Sequence, residues 1–296
     1  MSHINKKSLV RQVQEAYDSM LAIGRSRYFD KMLGETNDKI YSWSTYKSYM
    51  KHANYFARYC KENHNCKTLD ECKFYVNEWI QYRIQEGLSS YTIKLEVSAL
   101  SKLYGINSTD FIKTPRRNRK DIKRSRGNKE RDKHFSKKNN KEFVEFCRST
   151  GLRRSELKAL TGNKIVKRKD KYFIIVNKGS KGGRYREAEV IGDVDRVVEL
   201  MNKAGDGKVF TNIPNGADIH GYRAEYATAL YNLYAREIED ITYEEMNGET
   251  GHKLQTQVYN CRNDMKGKKL DKVAMKTASR SLGHNRISII AGNYIR

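Results

Sequence analysis

Four short patterns along the chain carry residue types that could act on a phosphate ester. The first is Thr150-Gly151-Leu152-Arg153-Arg154-Ser155-Glu156-Leu157. A glycine just before a helix start puts Arg153 in the first turn and Glu156 one turn later. A guanidinium there could grip a phosphate, with the carboxylate holding it in orientation. The second is Lys178, in the Gly-rich stretch from Asn177 to Arg184, where a lysine could be carried on a hairpin tip into a DNA groove. Lys181 lies on the same tip and is the alternative. The third is the pair His220 and Arg223, following Asp218 at a helix start. The fourth is Leu282-Gly283-His284, with Tyr294 ten residues after the histidine. Taken singly, each pattern also fits a bland role: a helix start with surface charges, a solvated turn, or a chance His-x-x-Arg pair.

Elements of two kinds must position these residues. Residues 139–160 read as two helices broken at Gly151. Three segments rich in β-branched and aromatic residues follow, Asn163–Val166, Lys171–Asn177 and Arg184–Val190. A charged turn and a Gly-rich turn separate them, which predicts a small antiparallel sheet. Helical periodicity resumes at 193–204 and 218–238, and again beyond 271. Upstream, one helix is expected over residues 8–33. Tyr46, Tyr49, Met50, Ala53, Phe56 and Ala57 line one face of a second helix, with Ser44 as its N-cap. Cys72, Val76, Trp79 and Ile80 form a further stripe ending near Gly87. Ser89 or Ser90 caps a helix carrying Ile93, Val97, Leu100 and Tyr104, stopped by Gly105.

Charge divides the chain in the same way. Residues 1–112 hold 16 Lys/Arg against 12 Asp/Glu, residues 113–141 hold 14 against 3, and residues 142–296 hold 28 against 20. Nearly half of the formal net charge of +23 thus lies in one 29-residue stretch. The expected organisation is a helical domain at 1–112, a basic linker at 113–138, and a mixed domain at 139–296. Such an excess of positive charge implies a polyanionic partner, above all nucleic acid. Arg116, Arg117, Lys120, Lys123 and Arg124 are expected to strap duplex phosphates, adding salt-sensitive affinity without reading sequence.

No stretch approaches the roughly 20 apolar residues of a membrane span. The N-terminus has no apolar signal core, so a cytoplasmic, nucleoid-associated location is expected. Five cysteines, an odd number, argue against a disulfide framework. Cys60, Cys66 and Cys72, with His64 among them, match no short zinc knuckle and read as buried small hydrophobes. No metal and no cofactor is expected.

Together and in this order, the four patterns resemble the tyrosine recombinase/integrase family, and the resemblance spans most of the chain. It implies an all-α core-binding domain and an α+β catalytic domain, mostly helical with a small antiparallel sheet, clamped around duplex DNA. It implies Arg153 and Arg223 as phosphate-binding arginines, with Glu156 as a supporting acid. It makes Lys178 the acid that protonates the departing 5′-oxygen, His220 the base, His284 a phosphate hydrogen-bond partner and Tyr294 the nucleophile. The chemistry is coherent. Two guanidiniums neutralise charge that builds in the transition state. A tyrosine, whose phenol ordinarily ionises near pH ~10, needs that field and a base in order to attack.

The implied activity is site-specific cleavage and rejoining of DNA through a 3′-phosphotyrosine, in a bacterial or phage-type mobile element, without ATP or metal. Expected partners are duplex DNA carrying recombination sites, further copies assembling on DNA as dimer or tetramer, and a directionality factor. A type IB topoisomerase shares the chemistry, but size and layout fit a recombinase better. A silent DNA-binding relative would lack catalytic residues that are present here. Three departures stand out. Arg223 and His284 are 61 residues apart, longer than the family's usual spacing, and residues 259–270 look like an added hairpin or loop. His284 to Tyr294 is one residue longer than is commonest. Two residues follow Tyr294, where relatives often carry a docking tail, so a monomer that assembles only on DNA is expected.

Overall fold

Polar side chains at helix starts and left-handed residues at some helix ends set several element boundaries. The computed structural model describes residues 7–118, 135–179, 185–241, 257–262, 265–284 and 286–295. The chain divides into two units, Met1–Asp121 and Ile122–Arg296.

The described residues of the first unit form six helices, α1 (Leu9–Asp18), α2 (Arg27–Met32), α3 (Trp43–His64), α4 (Leu69–Lys73), α5 (Val76–Gln85) and α6 (Ser90–Tyr104). Its core gathers Val13 and Tyr17 from α1, Phe56 and Cys60 from α3, Trp79 and Ile80 from α5, and Ile93 and Leu100 from α6. Cys66 and Cys72 are buried in the same core. As expected, Ser89 caps α6, its Oγ accepting from the Thr92 N–H at 3.2 Å, and Gly105 ends the helix at φ +63°.

Three sequence expectations fail in this unit, each for a local reason. The helix expected over 8–33 is two helices. Between them the backbone turns away to pair with Ile40, the Ala22 N–H donating to the Ile40 carbonyl at 2.9 Å, and Gly24 sits at φ +88°. Helix α3 starts two residues early, because Ser42 rather than Ser44 accepts from the Thr45 N–H. The Cys72–Ile80 stripe is divided between α4 and α5, although all four side chains face the core.

The second unit is α+β and mostly helical. It runs α7 (Lys141–Thr150), α8 (Arg154–Ala159), β1 (Ile165–Arg168), β2 (Lys171–Val176), β3 (Arg186–Glu189), α9 (Val194–Ala204), α10 (Ile219–Tyr234), β4 (Val258–Asn260), β5 (Lys269–Asp271), α11 (Lys272–Ser281) and α12 (Ser288–Asn293). Strands β1, β2 and β3 form an antiparallel sheet in that order, with Ile174 opposite Ala188 and Val176 opposite Arg186. The expected extra hairpin at 259–270 is present as the β4–β5 pair. Helix α10 stops at Tyr234 rather than reaching residue 238, because Ala235 turns extended.

Two apolar clusters hold this unit. One packs Phe146, Leu157, Ile174 and Met201 between the sheet and helices α7, α8 and α9. The other packs Tyr226 and Leu230 of α10 against Met275, Leu282, Ile290 and Tyr294. Among the described residues no helix is long and apolar enough to cross a membrane.

Gly151 joins α7 to α8 at φ +58°, and a Cβ there would lie 2.2 Å from Tyr226 Cδ1, a fully buried ring. Gly151→Ala combines left-handed strain with overpacking and is expected to cost about 3 kcal/mol. Urea unfolding measures this, and an unchanged midpoint would contradict the close packing described.

Candidate active site

The extended backbone of Arg153 serves as the N-cap of α8, one residue ahead of the first turn in which the sequence reading put it. Glu156, one turn on, is buried. Its Oε2 accepts from the Arg153 N–H at 2.7 Å, and its Oε1 accepts from Arg153 Nη1 at 2.6 Å. Oε2 also accepts from Arg186 Nη2 at 2.6 Å. Arg186, at the start of β3, is itself buried and donates Nη1 to the Ser281 carbonyl at 3.1 Å. Sequence reasoning missed this residue. Gly283 makes room for it, since a Cβ there would meet Arg186 Cδ at 2.6 Å.

Arg223, on α10, is the largest fully buried side chain, 1% exposed. Its guanidinium donates to the carbonyls of Gly151 and Leu282. Leu282 also accepts from Arg153 Nη2 at 3.2 Å, so one carbonyl ties both arginines to the turn ahead of His284. That turn is closed by the His284 N–H donating to the Ser279 carbonyl and by Ser279 Oγ donating back to the His284 carbonyl at 2.9 Å.

Tyr294 follows α12 and is 5% exposed. Its hydroxyl lies 3.1 Å from His284 Nε2 and accepts from Arg223 Nε at 3.5 Å. The His220 ring is 5.8 Å from the Tyr294 ring, centroid to centroid. The tyrosine backbone is pinned to α10, because Thr228 Oγ1 donates to its carbonyl at 3.1 Å.

His220, in the first turn of α10 behind the cap Asp218, is exposed and lines a cavity of about 740 Å³ with Arg153, Arg223 and Ser155. Arg154 shapes that cavity by donating to the Pro214 and Ala217 carbonyls at 2.7 and 2.8 Å, a task no sequence motif signals. Lys178 is exposed just past β2 and shares with Glu156 the lining of a smaller cavity of about 80 Å³. Arg153, Glu156, His220, Arg223, His284 and Tyr294, spread over 142 positions, are thus drawn into one place. Lys181 lies outside the described residues, as do Lys120, Lys123 and Arg124. Arg117 lies over the Tyr91 ring at 5.7 Å, within the first unit, and Arg116 precedes it there.

By sequence, the chain matches no known family model and no curated protein. By structure it is similar to the XerH site-specific recombinase in its post-cleavage complex with palindromic difH substrate. The TM-score is 0.50 at 16% identity, over 95% of this chain and 89% of that one. The fold is that of a tyrosine recombinase. The Tn1549 transposon integrase in complex with circular intermediate DNA is also similar, with a TM-score of 0.48 and 12% identity over 98% of this chain and 95% of that one. At 16% identity the likeness to XerH is one of fold.

Within that fold, burial and like charges shape each ionisation. Burial, with Arg153 and Arg186 close by, pushes the Arg223 guanidinium down to about 10, and Tyr294 opposes the shift. It remains charged at neutral pH. Burial acts to raise the Glu156 carboxyl, but Arg186, the Arg153 N–H, Arg223 and Arg153 outweigh it and hold the carboxyl below its usual range. Burial and the fields of Arg223, Arg153 and Arg186 push His284 down from 6.5 to about 4, so its ring is neutral at pH 7.

The unfolded chain binds a proton at this histidine near pH 6.5 while the folded chain resists until about 4. Stability is therefore lost as pH falls through that window. His284→Gln removes the group, so its melting temperature is expected to fall less than that of the parent between pH 6.5 and 4.5. Parallel curves for the two proteins would contradict the buried neutral imidazole.

Proposed function

We propose that this chain is a site-specific DNA recombinase or integrase that cuts and rejoins duplex DNA through a 3′-phosphotyrosine on Tyr294, integrating or excising a mobile element. The observation that carries the reading is the Tyr294 hydroxyl, held between Arg223 and His284 beside the cavity that Arg153 and His220 line. A buried phenol within reach of a buried, charged guanidinium suits attack on an anion, because the same charge serves the nucleophile and the phosphate. The tyrosine recombinase fold supports the assignment.

In the proposed step the Tyr294 oxygen attacks the scissile phosphorus, and an oxygen–phosphorus bond forms as the bond to the 5′-oxygen breaks. The phenolic proton passes to His220. His284 is the nearer imidazole, but a base whose conjugate acid ionises near 4 is a poor acceptor at neutral pH, so its task is hydrogen bonding. His220 lines the cavity that would take the phosphate, which puts its imidazole on the side from which the proton is taken in that role. Lys178 gives its proton to the departing 5′-oxygen. Arg153 and Arg223 hold the non-bridging oxygens in both directions. Rejoining reverses each transfer, with a 5′-hydroxyl attacking the phosphotyrosine. The bond energy is retained, so neither ATP nor metal is required. Arg116, Arg117, Lys120, Lys123 and Arg124 would add sequence-independent contacts to phosphates. Copies of the chain would assemble on paired sites, with a directionality factor biasing the outcome.

A plasmid library incubated with the protein, followed by denaturation, nuclease and protease digestion, and mass spectrometry, tests the reading. A nucleotide adduct on Tyr294 is expected, with none from Tyr294→Phe at unchanged duplex affinity. An adduct on another residue, or one persisting in Tyr294→Phe, would overturn it.

A further inference from the structure

A general acid must sit within hydrogen-bond reach of the atom it protonates. Lys178 is an exposed, flexible side chain, so something must fix its backbone relative to the arginines. One residue beyond it, the Gly179 carbonyl accepts from Ser155 Oγ at 2.7 Å. Gly179 sits at φ +73°, and a Cβ there would be 2.5 Å from the Ser155 carbonyl oxygen and 2.8 Å from its carbon. The two backbones touch because Gly179 has no side chain. Ser155 stands between Arg153 and Glu156 in sequence, so the hairpin is fastened to the same helical turn that holds the phosphate-binding arginine.

We propose that Ser155 is a positioning residue for leaving-group protonation. Its bond to Gly179 sets Lys178 at a fixed offset from Arg153, so phosphate and general acid are placed by one turn of helix. The inference rests on the reading of Lys178 as the acid that protonates the 5′-oxygen. Through that oxygen the role can be tested apart from folding. A bridging sulfur in place of the 5′-oxygen leaves as a thiolate and needs no proton, so a defect in proton delivery disappears on it. A general loss of structure does not.

The experiment uses a duplex recovered from the adduct mapping, made with either oxygen or sulfur at the cleaved 5′ position, in single-turnover cleavage by the full chain. On the oxygen duplex Ser155→Ala is expected to be slower by about tenfold, the worth of one ordinary hydrogen bond. Lys178→Ala is expected to be slower by about 10²–10⁴-fold. On the sulfur duplex both should approach the parent rate, while Arg153→Ala should not. Gly179→Ala, which forces the hairpin off Ser155, should show the same rescue, and Ser155→Thr should recover most of the lost rate. If sulfur rescues Lys178→Ala but not Ser155→Ala, the positioning role is overturned and the lysine assignment stands. If sulfur rescues neither, the lysine assignment falls and the inference falls with it. Absence of cleavage by the parent would overturn the proposed function itself.

Discussion

A carboxylate out of contact with water must be matched by positive charge, and at the candidate site Glu156 is the carboxylate that sets this demand. It is 3% exposed and accepts from two guanidiniums and one backbone N–H. Removing one partner of such a buried pair typically costs about 3–5 kcal/mol, because the remaining charge cannot regain its hydration. The pairing does more than stabilise. Arg153 and Arg186 extend from Glu156 to the Leu282 and Ser281 carbonyls, and Arg223 meets Arg153 at Leu282. The α7–α8 turn, strand β3, helix α10 and the turn after α11 are therefore joined around one negative charge.

The same arrangement leaves the pocket positive. Three guanidiniums face one carboxylate, and the surplus is met by neutral acceptors, the main-chain carbonyls of Gly151, Ser281 and Leu282 and the Tyr294 hydroxyl. Carbonyl dipoles orient a guanidinium without neutralising it. Burial and the excess field together hold His284 neutral, and the field is directed at the Tyr294 hydroxyl through Arg223 Nε. Donors fixed before the substrate arrives need little rearrangement as charge develops, which is the basis of electrostatic catalysis at a phosphodiester. Apolar packing supports this from behind, since Tyr294 closes the cluster that contains Tyr226, Met275 and Ile290.

Much of the site was legible in residue types because each motif places its side chain by local geometry. Gly151 breaks the helix where Arg153 must turn inward, and the Leu-Gly-His turn closes on its own Ser279. The sheet and the helix starts at Ser89 and Asp218 followed from turn and capping chemistry. Arg186 was not legible, because an arginine in a charged strand reads as surface until the glycine that admits it, at position 283, is known to lie alongside. The clip from Arg154 to residues 213–217 joins positions 60 apart with no motif. The break between α1 and α2 depends on pairing with Ile40, a contact that periodicity within one segment does not encode. Local signals were readable, and tertiary contacts decided the rest.

The dependence of the site on one buried charge is tested most directly by a double-mutant cycle on unfolding free energy, with Glu156→Gln, Arg186→Met and the pair together. Each single change is expected to cost about 3–5 kcal/mol. The double should cost less than their sum by more than about 2 kcal/mol, because removing both charges leaves neither unpaired. Costs that add to within about 0.5 kcal/mol would mean the two residues act independently, and the central claim would be wrong.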